Sequence, residues 1–180
     1  MLTVRAATLD DADEIVRINV HAWQQAYAGI VPADALDAMD STGRGDRYRD
    51  RMRAATDLEH LLATDDDKPV GYVCLGGYRS GPAEDGLRYL DVGEIMAIYV
   101  DPPRWGTGAG RALMDRSRLR LAERGFSTVR LWVLAANRQA RRFYERAGFS
   151  TDGSTSGYSL WRPDGSYVEL PKVQYTRPLP

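Results

Sequence analysis

The stretch from Glu94 to Gly110 constrains this chain more than any other. Glu94-Ile95-Met96-Ala97-Ile98-Tyr99-Val100 ends the longest strand signal in the sequence, which runs from Leu90 to Val100. Asp101-Pro102-Pro103-Arg104 interrupts it, and a helix begins inside Trp105-Gly106-Thr107-Gly108-Ala109-Gly110. Glycine lets the backbone take positive φ and approach a ligand closely. The first N–H groups of a helix lack an internal acceptor, and with the helix dipole they make an anion site. A strand that feeds such a loop therefore offers a seat for a pyrophosphate. Read alone, the glycine spacing is also that of a plain turn before a helix.

A dinucleotide fold would place its first glycine directly at the strand end and an acid roughly 20 residues later. Here Pro102 and Pro103 intervene, and the next strand runs out into Ala135-Ala136-Asn137 with no acid. A dinucleotide-dependent enzyme is disfavoured.

The rest of the chain supplies the elements around this loop. Thr3–Ala6 reads as a short strand. Thr8 or Asp10 caps a helix to about Tyr27, with acids at its positive end and apolar residues at helical spacing. Pro32–Met39 and Ser41–Ala55 read as two further helices, the second with a basic face of Arg44, Arg47, Arg49, Arg51 and Arg53. Leu58–Thr64 and Pro69–Tyr78 form a hairpin about the turn Asp65–Lys68. Arg79–Arg88 is a loop containing Glu84 and Asp85. Gly106–Arg124 is a helix ended by Gly125, Thr128–Leu134 a strand, and Asn137–Ala147 a helix ended by Gly148. Two strands follow, the last being Lys172–Thr176. Hairpin strands followed by strand–helix–strand–helix predict a mixed sheet with helices on both sides, an α/β or α+β fold.

The 180 residues fit one domain spanning 1–180. The formal net charge of −1 gives no support for a nucleic-acid partner. One cysteine, Cys74, excludes an internal disulfide and suggests no metal site. No stretch approaches the ~20 apolar residues of a membrane helix. Met1-Leu2-Thr3-Val4-Arg5 lacks a signal-peptide run, so a cytoplasmic location is expected.

Taken together, Gly93-Glu94-Ile95, Ile98-Tyr99-Val100, Pro103, Trp105 to Gly110, Leu113, Asn137, Phe143-Tyr144 and Gly148-Phe149 resemble the GNAT superfamily of N-acetyltransferases. The match covers about a third of the chain. Ala22-Trp23, Tyr27-Ala28-Gly29 and Pro32 also look like the opening of many bacterial members. The resemblance implies a mixed, mostly antiparallel central sheet of six to seven strands flanked by helices on both sides. It implies acetyl-CoA as donor, with no metal. Trp105, Gly106, Thr107, Gly108, Ala109 and Gly110, with the N–H of Arg111, would hold the pyrophosphate. Main-chain groups of Ile98 and Val100 would pair with the pantetheine arm as an added strand does. Asn137 would reach the same arm, and Tyr144 would sit near the sulfur. Trp105 departs from the family, which usually has Gln or Arg there. The loop works mainly through backbone N–H groups, so the change falls on side-chain contacts to phosphate, which Arg104 or Arg111 would supply.

Acetyl transfer to an amine requires the amine to lose a proton, an oxyanion to be stabilised and a thiolate to leave. Tyr144, seven residues after Asn137 on the same helix side, would protonate the thiolate; its alternative is a core stripe with Ala140, Phe143 and Ala147. Glu94 would accept the amine proton, directly or through water; some family members carry their basic glutamate at this distance before the loop. Strict alternation sets Glu94 on the face of Met96, Ile98 and Val100, where a carboxylate is costly unless paired, solvated or protonated. Its bland alternative is a salt bridge. A main-chain N–H of Ile98–Val100 is the oxyanion donor candidate.

His21 and, below it, His60 are weaker base candidates. Cys74 reads as a buried structural thiol rather than a nucleophile. Trp23 and Tyr27, with Tyr158, Trp161 and Tyr167, would wall the acceptor site or pack in the core. The arginine face reads as solvated, and Glu84, Asp85 and Asp91 would either attract a cationic acceptor or simply keep a loop soluble. The acceptor is expected to be a small-molecule amine or a protein or peptide amine. Late sheet edges would allow a homodimer. The competing function is a non-catalytic acyl-CoA-binding or sensing module, which would need neither Tyr144 nor Glu94.

Overall fold

A computed structural model describes residues 1–79 and 90–180. Seven strands, β1 (Leu2–Ala6), β2 (Glu59–Asp65), β3 (Lys68–Gly77), β4 (Val92–Val100), β5 (Thr128–Leu134), β6 (Thr155–Trp161) and β7 (Tyr167–Pro178), form one sheet in the order β1-β2-β3-β4-β5-β7-β6. Every pairing is antiparallel except β4 with β5. The parallel pair is joined through helix α4 (Ala109–Glu123), as a parallel connection requires. Helices α1 (Ala12–Ala26), α2 (Ala33–Asp37), α3 (Arg44–Ala54) and α5 (Arg138–Arg146) complete the fold.

The sheet has a core on each face. Leu61, Val73, Leu75, Ile95, Leu113 and Leu131 bury one face beneath α4 and α5. Ile15 and Ile18 of α1 pack with Leu62 and Tyr72 on the other. A third cluster joins Tyr27 and α2 to Leu134 and Leu170. This is the mixed sheet with helices on both sides that the element order predicts, mostly antiparallel and seven-stranded as the resemblance implies. The expected loop Arg79–Arg88, with Glu84 and Asp85, lies outside the described residues except for Arg79. No helix among the described residues is long and apolar enough to cross a membrane.

Element ends differ from the expectation where caps and turns take over. Leu9–Asp11 is a separate 3-10 turn ahead of α1. There the Asp11 carboxylate accepts from the Thr8 N–H at 2.7 Å and from Arg5 at 2.7 and 2.8 Å. The Arg5 guanidinium, chief among these partners, lowers the Asp11 pKa to about 2. The hairpin turn falls where expected, with Asp66 and Asp67 both at positive φ, the left-handed backbone of a two-residue hairpin. β7 begins at Tyr167, earlier than expected, because it pairs with β6 along an exposed hairpin whose pattern shows little alternation.

One expectation about β4 is overturned. The pairing of β3 with β4 slips between Cys74 and Leu75: Cys74 faces Ala97, but Leu75 faces Ile95. Met96 is thus the extra residue of a β-bulge, which reverses the alternation. Ile95, Ile98 and Val100 pack against the α4 core, whereas Ala97 and Tyr99 pack with α1. Glu94 therefore does not share a face with Ile98 and Val100; it opens toward the α1 and α3 side. The bulge also marks where β4 leaves β5. Their pairing covers only Val92–Ile95 with Thr128–Leu131, and Trp132–Leu134 continue on β7 alone.

Candidate active site

The parting of β4 and β5 creates a cleft of about 1920 Å³, twice the upper size of about 1,000 Å³ usual for a pocket that takes one small molecule. Ile98, Tyr99 and Val100 line one side, and Trp132, Val133 and Leu134 the other. The Asp101 N–H donates to the Val70 carbonyl at 2.8 Å. Main-chain groups alternate in direction along a strand, so those of Ile98 and Val100 turn away from β3 into the cleft. The Val100 carbonyl is already engaged there, accepting from the Trp105 indole N–H at 2.8 Å.

The glycine loop closes one end. Pro102–Arg104 form a 3-10 turn, then Gly106 (φ 78°) and Gly108 (φ 95°) take the left-handed backbone that favours glycine. Gly108 caps α4. Among the described residues, the N–H groups of Gly106 and Gly108 have no backbone acceptor, and the first-turn N–H groups of α4 have none inside the helix. Trp105, Gly106, Gly108, Gly110 and Arg111 line the cleft. Thr107 and Ala109 do not. Thr107 turns its hydroxyl back to the Arg104 carbonyl at 2.8 Å, and Ala109 is buried in the core. Of the two arginines considered for phosphate, Arg104 is ion-paired with Asp65, while Arg111 is 87% exposed and only 3.7 Å from Asp115. These free amides suit a pyrophosphate, and the open strand main chain suits an extended polar arm.

A cluster of hydroxyls gathers at the branch of the cleft. Asn137 caps α5, its side-chain oxygen accepting from the Ala140 N–H at 3.0 Å. Tyr144, one helix span later, is buried with its ring against Phe143, Phe149 and Tyr175. The ring packs in the core, as the core-stripe reading expects, and the residue also lines the cleft. Tyr27 packs edge-on to Trp23 at 4.5 Å, and the Trp23 indole donates to the Tyr99 hydroxyl at 2.9 Å. Burial raises the phenol pKa of Tyr144, Tyr27 and Tyr99, so all three stay protonated at neutral pH. Each can donate a hydrogen bond into the cleft, while the raised pKa makes it a weaker acid than a free phenol.

Glu94 lines the same cleft on the α1 and α3 side and is 3% exposed. It accepts from the Arg79 N–H at 2.9 Å. His60 joins it in the cleft, edge-on to Tyr48 at 5.5 Å; burial lowers its pKa, so the imidazole is neutral at pH 7. His21 instead bonds Asp101 at 2.6 Å, beside the Arg17–Asp101 pair, and ties α1 to the end of β4. Of the two histidines, the weaker candidate His60 lines the cleft and His21 does not. Burial raises the Cys74 thiol to about 11, which keeps it protonated and unreactive.

Trp23 and Tyr27 pack in the third core cluster and also line the cleft, and Tyr158 and Trp161 line it too. Tyr167 does not; it stacks on Trp161 at 5.4 Å, and both are largely exposed, outside any core. Asp91 accepts from the Ser127 hydroxyl at 2.8 Å, away from the cleft. The basic face divides. Arg49 and Arg53 pair with acids, whereas Arg44, Arg47 and Arg51 line the cleft. That division and the inward Tyr48–Tyr72–Tyr99 series were not foreseen. The spacing 44, 47, 51 was the available signal, and only the packing of α3 on α1 shows which way it faces. Among the described residues no group of three or more His, Cys, Asp or Glu is gathered as a metal site would need.

Comparison with known proteins agrees with this geometry. The family profile "Acetyltransferase (GNAT) family" matches residues 20–149. The uncharacterized N-acetyltransferase YuaI of Bacillus subtilis is 32% identical over 139 residues, covering 76% of this chain and 74% of that protein. The mycothiol acetyltransferase of Propionibacterium freudenreichii is 41% identical over 155 residues; these are 86% of this chain but only 45% of that longer protein. Among solved structures, the PaiA N-acetyltransferase of Thermoplasma acidophilum in complex with coenzyme A superposes with a TM-score of 0.72 at 17% identity, covering 99% of both chains. The profile spans most of the chain and a relative above 30% identity is covered over most of its length, so this protein belongs to the GNAT acetyltransferase family and is an acetyltransferase.

Proposed function

We propose that the protein moves the acetyl group of acetyl-CoA to a primary amine by direct attack in a ternary complex. The observation that carries this reading is the parted β4–β5 pair, with free loop amides at one end and Tyr144 and Asn137 at the branch. Bound there, acetyl-CoA would supply an activated thioester.

The N–H groups of Gly106, Gly108, Gly110 and Arg111 hold the pyrophosphate. Ile98, through its N–H and carbonyl, and Val100, through its N–H, pair with the pantetheine arm; the Trp105 indole already occupies the Val100 carbonyl. Asn137 reaches the same arm with its amide nitrogen, its oxygen being engaged as the helix cap. Glu94 takes the proton of the attacking amine, directly or through one water. Tyr144 gives its proton to sulfur as the C–S bond breaks and the N–C bond forms. Trp23 and Tyr27 bound the acceptor. The volume of the cleft favours two ligands at once over a covalent relay, and the protonated Cys74 offers no nucleophile for a relay.

The test is thiol release from acetyl-CoA against pooled amines, followed by Tyr144→Phe on the amine found. Its kcat should fall by about 10²-fold or more, the range for loss of a general acid, with acetyl-CoA affinity nearly unchanged. An unaltered kcat with chemistry rate-limiting would remove Tyr144 from the mechanism.

A further inference from the structure

α3 carries its arginines on two sides. Arg49 reaches Asp13 at 2.9 Å and Asp46 at 2.5 Å, and Arg53 reaches Asp50 at 2.9 Å. Arg44, Arg47 and Arg51 recur at the spacing of one helix face and line the cleft. None of these three forms an ion pair among the described residues. The charge of Arg44 reaches the exposed Asp40.

The direction of this face is fixed by packing. Gly45 sits so close to α1 that an added Cβ would meet the Asp13 carboxylate, and Arg49 on that side bonds the Leu9 carbonyl at 3.1 Å. The remaining face must look into the cleft. The Arg51 guanidinium stacks on Tyr48 at 5.1 Å from the ring centre. Tyr48 meets Tyr72 at 6.5 Å, and Tyr72 meets Tyr99 at 5.8 Å. A series of rings thus leads from the arginines to the hydroxyl cluster beside Tyr144. The positive field of Arg51 reaches His60, Tyr72 and Cys74 inside the cleft.

Charge in this lobe is lopsided. Asp57 and Arg79, both in its wall, cancel as an ion pair. Among the described residues, three guanidinium groups that form no ion pair line this lobe together with the buried Glu94. A polyamine would meet repulsion there. Guanidinium groups bind carboxylate and phosphoryl oxygens through paired N–H donors.

We propose that Arg44, Arg47 and Arg51 read an oxyanion on the acetyl acceptor, which is therefore a small primary amine that also carries a carboxylate or a phosphoryl group. The amine end points to Glu94 and the oxyanion to α3. The proposal rests on the acetyl-transfer reading of this cleft and names its substrate class.

The experiment separates the two. Protein saturated with CoA is titrated calorimetrically with matched pairs: L-methionine against L-methioninamide, L-glutamate against its α-amide, and O-phosphoethanolamine against ethanolamine. At least one oxyanion-bearing member should bind about tenfold or more tighter than its neutral partner, the scale of one charge-assisted contact. The carboxylate and phosphoryl pairs distinguish the two sources of the oxyanion. Arg47→Gln and Arg51→Gln should each erase that preference while leaving CoA affinity and the binding of the neutral partner unchanged. Arg53→Gln, which lies on the paired side, should keep it. No oxyanion preference in the wild-type protein, or a preference untouched by both cleft-side substitutions, overturns the proposal. Absence of thiol release from any amine overturns the transfer reading instead, because the binding preference is measured without turnover.

Discussion

At the scale of single residues, Trp105 and Gly108 stand five and eight positions past Val100 in the same loop, yet they act by different means. Gly108 is held at φ 95°, and its N–H and those of the next turn face the cleft. An alanine there costs about 1–2 kcal/mol for the left-handed backbone and turns the amides aside. Gly108→Ala should weaken acetyl-CoA binding by about tenfold or more, since 1.4 kcal/mol is a factor of ten. Trp105 contributes an indole N–H to the Val100 carbonyl and nothing to the loop amides. Trp105→Gln, the residue common in the family, should change that affinity by less than about threefold, a fraction of one neutral hydrogen bond. Titration of both variants with acetyl-CoA checks the contrast, and equal losses would mean that the loop binds through side chains. The glycines were legible in the sequence because positive φ leaves few other choices. The indole bond was not, because it depends on where the loop folds back.

At the scale of elements, the start of α1 shows how one carboxylate organises a chain entry. Asp11 accepts from Arg5, within β1, and from Thr8 ahead of the helix. Its folded pKa, about 2, lies below the ordinary value of 3.8. A depressed carboxylate stabilises above the unfolded pKa, and that stabilisation is lost as pH falls from about 4 toward 2. Arg5 is half exposed, so solvent screening reduces the contribution to about 1–2 kcal/mol. Asp11→Asn should lower Tm at neutral pH by roughly 2–8 °C, and the difference from wild type should shrink at pH 2–3. A constant difference across that range would assign the loss to packing instead. The strand Thr128–Leu134 was readable to the residue because it alternates cleanly and is paired on both sides over its first half. The bulge at Met96 was hidden, because Met96-Ala97-Ile98 are all apolar and alternation across them carries no mark. That one residue decides which side of the sheet Glu94 serves.

At the scale of the whole molecule, the family motifs disclosed the loop side of the cleft but not the lobe opposite it. Loop, strand and capped helix lie close in sequence, so their spacing reports their geometry. The lobe proposed for the acceptor is assembled from α1, α3 and β2 to β4, elements whose relative placement is set by packing rather than by any local pattern. A cleft that binds its ligand only when folded is stabilised by that ligand. Acetyl-CoA at about 100 times its dissociation constant should add about 2.7 kcal/mol, or roughly 5–10 °C in Tm. Differential scanning calorimetry with and without acetyl-CoA measures this, and an unchanged Tm under saturating conditions would contradict binding to the native fold.

The early separation of β4 from β5 has a further consequence. A strand normally loses its unpaired main-chain groups by lying inside a sheet, but here the edge of β4 beyond Ile95 is in the middle of one. The fold carries an interior selvage, held at Val92–Ile95 and open above. An extended molecule with alternating amides can stitch into it as an added strand does. Amide hydrogen exchange at Ile98 and Val100 should therefore be fast in the empty protein and slow once acetyl-CoA is bound, while β5, already sewn to β7, should change little.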